Sequence, residues 1–358
     1  MNEMNEIVLG KRKINSFSRP YIIAEIGVNH GGSLYLAKKM IKFAKRGGAD
    51  AAKFQSYKAE TLASRNSPAY WDTKKEVINS QFELFKKYDS FSVKDYRNLA
   101  SYSKKIGIDF ISTPFDESAV DYLNPLVPFF KISSSDITNI PLLRKISKKK
   151  KSIILSTGAA SINEIKNALK VLNKNGKKNV VLMHCILNYP TKNKNANLRM
   201  IKGLQKNFPN NLIGYSDHTI PDQKLSSLLA AFILGATVLE KHFTHDKFLR
   251  GNDHYHAMDY KNLLEFKKNL EKIYHLLGKN EKKHPISTEN VARKNARRSI
   301  VIKKNIKANQ KINKNNIICK RPGTGISPQY WDKVLGQFSK RKMKIDHILQ
   351  WSDIKKKK

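Results

Sequence analysis

The sequence predicts a (β/α)8 TIM barrel followed by a small β-rich domain, and three observations lead to that prediction. Short apolar segments alternate with amphipathic helical segments over about the first 280 residues. Eight such apolar segments occur, and each ends in polar residues. The alternation then stops, and short strand-like pieces separated by Gly, Pro and Asn follow. Strands that alternate with helices form parallel sheets, and eight units of this size match a closed barrel better than an open sheet.

The eight predicted strands are rich in apolar side chains. They span residues 21–26, 51–55, 108–112, 129–132, 152–156, 180–184, 212–216 and 237–241. The segments between them place apolar residues three and four positions apart, as helices with one buried face do. The clearest helices are predicted at residues 34–44, 93–106, 162–172, 225–234 and 259–277. The longer connection after the second strand contains residues 70–72 and 82–85, and is expected to be a lid or local packing.

A polar segment after residue 277 separates the barrel from the rest of the chain. We expect a barrel domain over residues 1–282, a linker over 283–286 and a β-rich domain over 287–358. Within the last domain, the strand-like pieces are residues 299–302, 316–319 and 344–349. Turn-forming residues separate these pieces, which is typical of a compact β domain.

The chain is strongly basic, with 68 Lys and Arg against 29 Asp and Glu and a net charge of +39. Such a charge is typical of nucleic-acid-binding proteins. However, the lysine runs at residues 148–151, 174–178 and 355–358 fall at predicted loops and at the terminus, without the interleaved aromatic residues of a base-stacking surface. We therefore expect no nucleic-acid partner, and keep a basic nucleic-acid- or polysaccharide-binding protein as the non-enzyme alternative.

Other features of the sequence indicate the cellular compartment of the protein. No apolar run approaches the roughly 20 residues of a membrane span, and the first six residues are polar and acidic. The two cysteines, Cys185 and Cys319, are too few for a disulfide framework. These features predict a cytoplasmic protein without a membrane partner, in which Cys185 is a packing residue.

The active site of a barrel lies at the carboxyl ends of its strands. Two lysines, Lys53 and Lys131, stand at such ends, and burying an unpaired ammonium group is costly. Nearby strand ends supply hydrogen-bond donors: Gln55, Thr113, Ser134, Ser156 and Ser216. Together these groups suit an anion that carries both phosphate and carboxylate.

Two histidines, His218 and His242, end consecutive predicted strands, so their imidazoles could meet at one metal ion. Two histidines with oxygen ligands suit Mn²⁺, with Mg²⁺ or another divalent ion as alternatives. Hydrogen-bonded histidines in the core are the competing interpretation. The segment at residues 245–256 is too polar for the core, and within it Asp253 is expected to bind substrate hydroxyls.

Six motifs in order carry a resemblance to a known family. They are residues 23–30 (IAEIGVNH), 53–55 (KFQ), 112–115 (STPF), 156–158 (STG), 216–219 (SDHT) and 240–244 (EKHFT). From about residue 19 to its end, the chain resembles the N-acetylneuraminate (sialic acid) synthases, which carry a C-terminal SAF, or antifreeze-like, domain. The resemblance implies condensation of phosphoenolpyruvate with an open-chain N-acetylhexosamine, such as N-acetylmannosamine. The products would be a nine-carbon nonulosonic acid and phosphate.

The resemblance also implies a role for each matching residue. Phosphoenolpyruvate would be bound by Lys53, Gln55, Thr113, Lys131, Ser134, Ser156, Ser216 and Glu240. The sugar would be bound by Glu25, Asn188, Tyr189, Asp253 and Arg321. The catalytic groups would be Glu25, Asp136, His218 and His242, of which the two histidines would bind a divalent metal, foremost Mn²⁺, with Mg²⁺ or Co²⁺ as alternatives. Arg321 would enter the barrel of a second subunit, which implies a domain-swapped homodimer.

Three positions depart from the family pattern. Asp136 stands where a longer glutamate is common, Leu187 replaces a polar residue often found two positions before the tyrosine, and residues 251–253 are GND rather than GPD. The changes on the sugar side leave a second acceptor open, a di-N-acetylated deoxyhexose leading to a legionaminic- or pseudaminic-type acid. A 3-deoxy-octulosonate 8-phosphate-type synthase is a further alternative, although such enzymes usually lack the C-terminal domain.

Overall fold

The computed structural model describes residues 5–71, 73–74, 76–176, 179–251 and 253–356. The chain divides into two units, Met1–Gly278 and Lys279–Lys358. In chain order, the strands of the first unit are β1 (Ile7–Leu9), β2 (Arg12–Ile14), β3 (Tyr21–Gly27), β4 (Ala51–Ser56), β5 (Asp109–Pro114), β6 (Phe130–Ile132), β7 (Ile153–Ser156), β8 (Val180–Cys185), β9 (Leu212–Asp217) and β10 (Val238–His242).

Strands β3 to β10 form one parallel sheet. Its order is β5-β4-β3-β10-β9-β8-β7-β6, and the two end strands, β5 and β6, lie against each other. All residues of β3, β7, β8, β9 and β10 are buried, because side chains on one face fill the barrel and those on the other face pack against helices. Strands β1 and β2 pair antiparallel in a hairpin that the sequence analysis missed, since three-residue strands carry no extended alternation.

The helices between these strands bury one apolar face each. They are α1 (Leu34–Gly47), α2 (Ala59–Leu62), α3 (Gln81–Tyr88), α4 (Val93–Ile106), α5 (Glu117–Leu123), α6 (Ile140–Ser147), α7 (Ile162–Leu172), α8 (Met200–Asn207), α9 (Ser226–Ile233) and α10 (Tyr260–Leu277). Side-chain caps set several starts: Ser161 caps α7 in a capping box with Glu164, and Ser92 caps α4 in the same way with Asp95.

The second unit is small and β-rich. Its elements are α11 (Asn290–Ala296), β11 (Ser299–Ile302), β12 (Ile317–Lys320), α12 (Trp331–Val334), β13 (Phe338–Ser339) and β14 (Ile354–Lys355). Strands β11 and β12 pair antiparallel, as do β13 and β14. The predicted strand at residues 344–349 is wrong: this segment forms one isolated bridge, between Ile348 and Val301, and Asp346 adopts a left-handed φ of 66° that interrupts extended backbone.

These two units confirm the predicted fold class, a (β/α)8 barrel followed by a small β-rich region. Within the described part of the chain, no helix has the length and apolar character needed to cross a bilayer.

Candidate active site

The carboxyl ends of the parallel strands enclose an inner cavity of about 50 Å³. Its lining consists of Glu25, Lys53, Gln55, Thr113, Phe115, Lys131, Ser133, Ser134, Ser156, Cys185, Tyr189, Ser216, His218, Glu240 and His242. Most of these residues were predicted as site residues from the sequence. Phe115, Ser133 and Cys185 are additional.

Sheet register brings the first ion pair of the cavity together. The Cα atom of Glu25 on β3 is the partner of Lys53 on β4 and of His242 on β10, so the three side chains leave the sheet side by side. Lys53 Nζ lies 2.5 Å from Glu25 Oε2 and donates to Thr113 Oγ1 at 3.3 Å. Gln55 Nε2 donates to the other Glu25 oxygen at 3.2 Å.

A second lysine lies across the cavity. Lys131 Nζ donates to Ser156 Oγ at 2.8 Å and lies 3.4 Å from Glu240 Oε1. The same glutamate oxygen accepts a hydrogen bond from Ser216 Oγ at 3.0 Å and lies 3.7 Å from Lys53 Nζ. Glu240 therefore links the two ammonium groups, while its Oε2 atom is buried without a hydrogen-bond partner.

Burial and mutual interaction shift the pKa values of these four groups. Burial raises the pKa of Glu25 to about 7, since Lys53 offsets only part of the desolvation and Glu240 adds repulsion. Burial likewise lowers the pKa of Lys131. For Glu240, the two lysines outweigh burial and hold its pKa below the ordinary value. The cluster therefore has a small net charge and can accept an anion when Glu25 is protonated.

Gly158, which follows β7, packs against two residues of the cavity lining, Ser134 and Cys185. Its N–H donates to Ser134 Oγ at 2.9 Å. A Cβ atom at this position would lie 2.9 Å from Ser134 Oγ and 3.2 Å from Cys185 Sγ. Glycine at this position therefore avoids crowding of Ser134 and Cys185, which line the cavity.

The two predicted metal-binding histidines lie together, with ring centroids 5.4 Å apart. His218 Nδ1 is 2.8 Å from the Ile186 carbonyl oxygen. Because a carbonyl only accepts, Nδ1 carries the proton and Nε2 keeps a lone pair for a ligand. Burial lowers the pKa of His218 to about 4 and the pKa of His242 further, so both rings are neutral near pH 7.

His242 also belongs to a group of potential metal ligands with Asp253 and His256, whose ligand atoms lie within 4.8 Å of one another. His242 Nδ1 is buried without a hydrogen-bond partner, 3.6 Å from Asp253 Oδ2. Burial, with repulsion from Glu25, raises the pKa of Asp253 to about 7. Neutral imidazoles beside a carboxylate are a donor set that divalent transition metals accept, so these residues fit the predicted metal.

The loop after β10 is fixed at both ends. Met258 N donates to the His242 carbonyl at 2.7 Å, and Thr244 N donates to the Met258 carbonyl at 2.9 Å. The side chain of Asn29 donates to the carbonyls of Phe243 at 3.0 Å and Asp253 at 3.4 Å. These bonds hold Asp253 at the mouth of the barrel.

A larger outer cavity, of about 410 Å³, adjoins the inner one and shares Gln55, Tyr189 and His242 with it. Its other lining residues are Val28, Asn29, Gly31, Tyr57, Tyr70, Leu84, Phe85, Lys87, Tyr88, Arg250, Asp253 and His254. Several come from the long connection after β4, so this connection covers part of the site. Asp72 and Asn252, which the sequence analysis mentioned, lie outside the described residues.

The comparisons with known proteins decide the family. Residues 40–282 match the model of the NeuB family, and residues 297–355 match the SAF domain. The chain belongs to the NeuB family. The family predicted from the sequence motifs is thereby confirmed.

Several relatives of this NeuB-family chain are named acid synthases. It is 40% identical over 337 residues to the N,N'-diacetyllegionaminic acid synthase of Campylobacter jejuni, covering 92% of this chain and 98% of that protein. It is 38% identical over 259 residues to the N-acetylneuraminate-9-phosphate synthase of Mus musculus, covering 72% and 71%. A solved N-acetylneuraminic acid (sialic acid) synthetase from Leptospira borgpetersenii, in complex with citrate, matches with a TM-score of 0.72 and 35% identity, covering 82% and 96%. The NeuB-family chain is an enzyme of this synthase kind.

Three predicted site residues of the NeuB-family chain lie elsewhere. Among the described residues, Asp136 and Asn188 line neither cavity. Asp136 is buried and accepts hydrogen bonds from Asn139 Nδ2 at 3.0 Å and Ser135 Oγ at 3.4 Å, and Asn188 is exposed. Arg321 is exposed in the second unit. Their roles stay predictions.

Proposed function

We propose that this enzyme condenses phosphoenolpyruvate with the open-chain form of an N-acetylated hexosamine, giving a nonulosonic acid and inorganic phosphate. One observation carries the proposal: two buried lysines and their hydroxyl neighbours line a small cavity, and His242 lines both this cavity and a larger one beside it. The two lysines of the inner cavity match a small, highly charged donor, and the larger outer cavity has room for a sugar.

Phosphoenolpyruvate takes the inner cavity. Lys53 and Lys131 neutralise its phosphate and carboxylate, and Thr113, Ser134, Ser156 and Ser216 supply hydrogen bonds of fixed direction. Without substrate, Glu25 and Glu240 are the counter-ions of the lysines, which keeps two buried ammonium groups tolerable. When phosphoenolpyruvate binds, its phosphate and carboxylate compete with the two glutamates as counter-ions of the lysines.

The sugar takes the outer cavity, with its aldehyde at the junction formed by Gln55, Tyr189 and His242. Asp253 accepts hydrogen bonds from sugar hydroxyls, and the rings of Tyr70 and Phe85 contact its apolar surface. In this arrangement C3 of phosphoenolpyruvate reaches the aldehyde carbon from the inner side.

The reaction forms one carbon–carbon bond and breaks one carbon–oxygen bond. C3 of phosphoenolpyruvate bonds to C1 of the sugar, and the aldehyde oxygen gains a proton and becomes a hydroxyl. Water adds to C2 of the former phosphoenolpyruvate and gives up that proton. Phosphate then leaves with its bridging oxygen and takes the proton of the C2 hydroxyl, which becomes the ketone. Glu240, whose pKa the two lysines hold below its ordinary value, stabilises positive charge at C2. A divalent ion held by His218 and His242 would supply Lewis acidity toward the aldehyde oxygen. Asp136 is the proposed acid/base group that serves the water.

A di-N-acetylated deoxyhexose is the second candidate acceptor. The outer cavity has an aromatic wall of Tyr57, Tyr70, Phe85 and Tyr88, which suits an additional N-acetyl methyl group and a C6 methyl group better than extra hydroxyls. The relative named as a diacetyllegionaminic acid synthase also aligns over nearly the whole chain. This supports the alternative that Leu187 first suggested.

Phosphate release from phosphoenolpyruvate tests the proposal. The assay compares N-acetylmannosamine, its 6-phosphate and di-N-acetylated deoxyhexoses, each with Mn²⁺ or EDTA. We expect release with one of these acceptors, and loss of release with EDTA. If no acceptor in the panel stimulates release above the rate without acceptor, the proposed condensation is wrong.

The proposed domain-swapped homodimer, with Arg321 acting on the partner's barrel, has a separate test. Arg321→Ala and Lys131→Met should each lose activity. Mixing the two variants should restore part of it, because one barrel in each mixed dimer then has an intact lysine and an intact arginine from its partner. Activity that stays lost in verified mixed dimers would contradict an arginine supplied by the partner.

A further inference from the structure

His256 is fully buried at the active site and has no role in the proposed reaction. It lies on the loop after β10, two residues before Met258 returns to pair with the His242 carbonyl. This return places the two imidazoles together, with ring centroids 4.8 Å apart at an interplanar angle of 58°. His256 therefore belongs to the same wall as the predicted metal ligand His242.

The carboxylate of Asp253 lies between the two rings and presents a different oxygen to each. Its Oδ2 is 3.6 Å from His242 Nδ1, and its Oδ1 is 3.8 Å from His256 Nε2. Metal–ligand bonds of about 2.0–2.2 Å place neighbouring ligand atoms roughly 3–3.5 Å apart. The ligand atoms of the three residues lie within 4.8 Å of one another, so movements of roughly 1 Å would bring all three onto one ion.

We propose that His256 is a metal ligand, which together with Asp253 and His242 forms a binding set larger than the pair His218 and His242. The inference rests on the proposed function, because it uses the same divalent ion. It gives Asp253 a role at the metal in addition to its contacts with the sugar.

The composition of this set determines which ions it favours. Three imidazoles, from His218, His242 and His256, with one carboxylate suit Mn²⁺, Fe²⁺, Co²⁺ or Zn²⁺. Mg²⁺ prefers oxygen ligands and keeps several waters, so it suits this set poorly. We therefore expect Mg²⁺ to bind much more weakly than Co²⁺.

Metal titration of the full-length protein tests the role of His256. Wild-type protein is titrated with Mn²⁺ and Co²⁺ by calorimetry, and the visible spectrum of the Co²⁺ form is recorded. His256→Leu removes the imidazole nitrogens and leaves an apolar side chain of similar size. It should weaken metal binding at least about 10–100-fold and alter the Co²⁺ spectrum. His245→Ala is the matched control, a histidine on the same loop that lines neither cavity, and it should bind both ions as wild type does.

Pulsed EPR of the Mn²⁺-loaded wild-type protein counts the coordinated imidazoles without any substitution, so it decides the question even if His256→Leu does not fold. Three imidazoles are expected, and two would overturn the proposal. Wild-type affinity together with an unchanged spectrum in folded His256→Leu would also overturn it. Metal binding without acceptor-dependent phosphate release would instead refute the proposed function and leave the metal site in place.

Discussion

Two buried groups of lysines and carboxylates lie on opposite faces of the same parallel sheet. Lys241 alternates with Glu240 and His242 along β10, so its side chain leaves the barrel on the helix-facing side. There, Lys241 Nζ lies 2.7 Å from Asp217 Oδ2. The other group, Lys53 and Lys131 with Glu25 and Glu240, faces the inner cavity.

The two groups differ in how far their hydrogen bonds are satisfied. Asp217 accepts from Tyr215, Thr219 and Ser227 as well as from Lys241, and Lys241 also donates to the Thr219 carbonyl. In the cavity, by contrast, Glu240 Oε2 has no hydrogen-bond partner, and Glu25 Oε2 is contacted by the Lys53 ammonium group at 2.5 Å. A fully paired ion pair fixes structure, whereas charges left incompletely paired beside a cavity are available for a ligand.

Removing the lysine of the structural pair should have the largest effect. Lys241→Met leaves the Asp217 carboxylate buried without its counter-ion, and we expect the free energy of unfolding to fall by about 3–5 kcal/mol. Urea denaturation measures the change. The double variant Lys241→Met with Asp217→Leu should recover most of it, since both charges are then gone. A single variant as stable as wild type would show that the pair is not structural.

The matched substitution in the cavity should instead affect activity. Lys131→Met removes one positive charge from the proposed phosphoenolpyruvate site, and we expect kcat/KM to fall by about 10²–10³-fold, or roughly 3–4 kcal/mol. Stability should change little, because Lys53 and Ser216 still pair with Glu240. Steady-state phosphate release and urea denaturation on the same preparation check both parts. A large fall in the free energy of unfolding of Lys131→Met would mean that Lys131, like Lys241, mainly stabilises the fold.

Two serines extend the comparison to single hydrogen bonds. Ser227 Oγ donates to Asp217 Oδ2 at 2.7 Å, and Ser227→Ala should lower the free energy of unfolding by about 1.5–3 kcal/mol, as for other bonds to charged groups. Ser216→Ala removes the equivalent bond to Glu240. Because cavity water can replace that bond, we expect little loss of stability and a higher KM for phosphoenolpyruvate. An equal fall in the free energy of unfolding in Ser227→Ala and Ser216→Ala would contradict the distinction between a structural pair and a ligand-binding group.

The barrel was predictable because its signals are local. Each strand is a short apolar run that becomes buried, and each main helix has one apolar face, so the predicted bounds fall close to those observed. Lys53 and Lys131 were predictable as site residues because a lysine at the end of a buried strand needs a counter-ion. Sequence position does not fix side-chain direction, however. Asp136 lies just after β6, but its carboxylate is bound by Asn139 and Ser135.

The outer cavity depends on contacts between distant segments, so the sequence did not predict it. Tyr57, Tyr70 and Tyr88 reach it from the long connection after β4, and the loop with His256 is held by the side chain of Asn29, more than 200 residues earlier. The segment at residues 245–256 was predicted to face the site from its polarity, but polarity did not distinguish His256 from its neighbours. His254 and His256 stand two positions apart, and that spacing was the available signal.

The pH dependence of phosphoenolpyruvate binding should show the smallest effect and sharpen the account of the cavity charges. The pKa of Glu25 is about 7 in the free enzyme, because burial disfavours its charged form. A bound anion raises this pKa further, so protonated Glu25 favours binding, and affinity should fall as pH rises from 7 to 9, by at most about tenfold per pH unit. Phosphate monoesters are already largely dianionic in this range, with a second pKa of about 6.

Calorimetry in buffers of different ionisation enthalpy should therefore detect proton uptake on binding at pH 8. Glu25→Gln should abolish both the uptake and this dependence, and uptake that persists in the variant would assign the proton to another group.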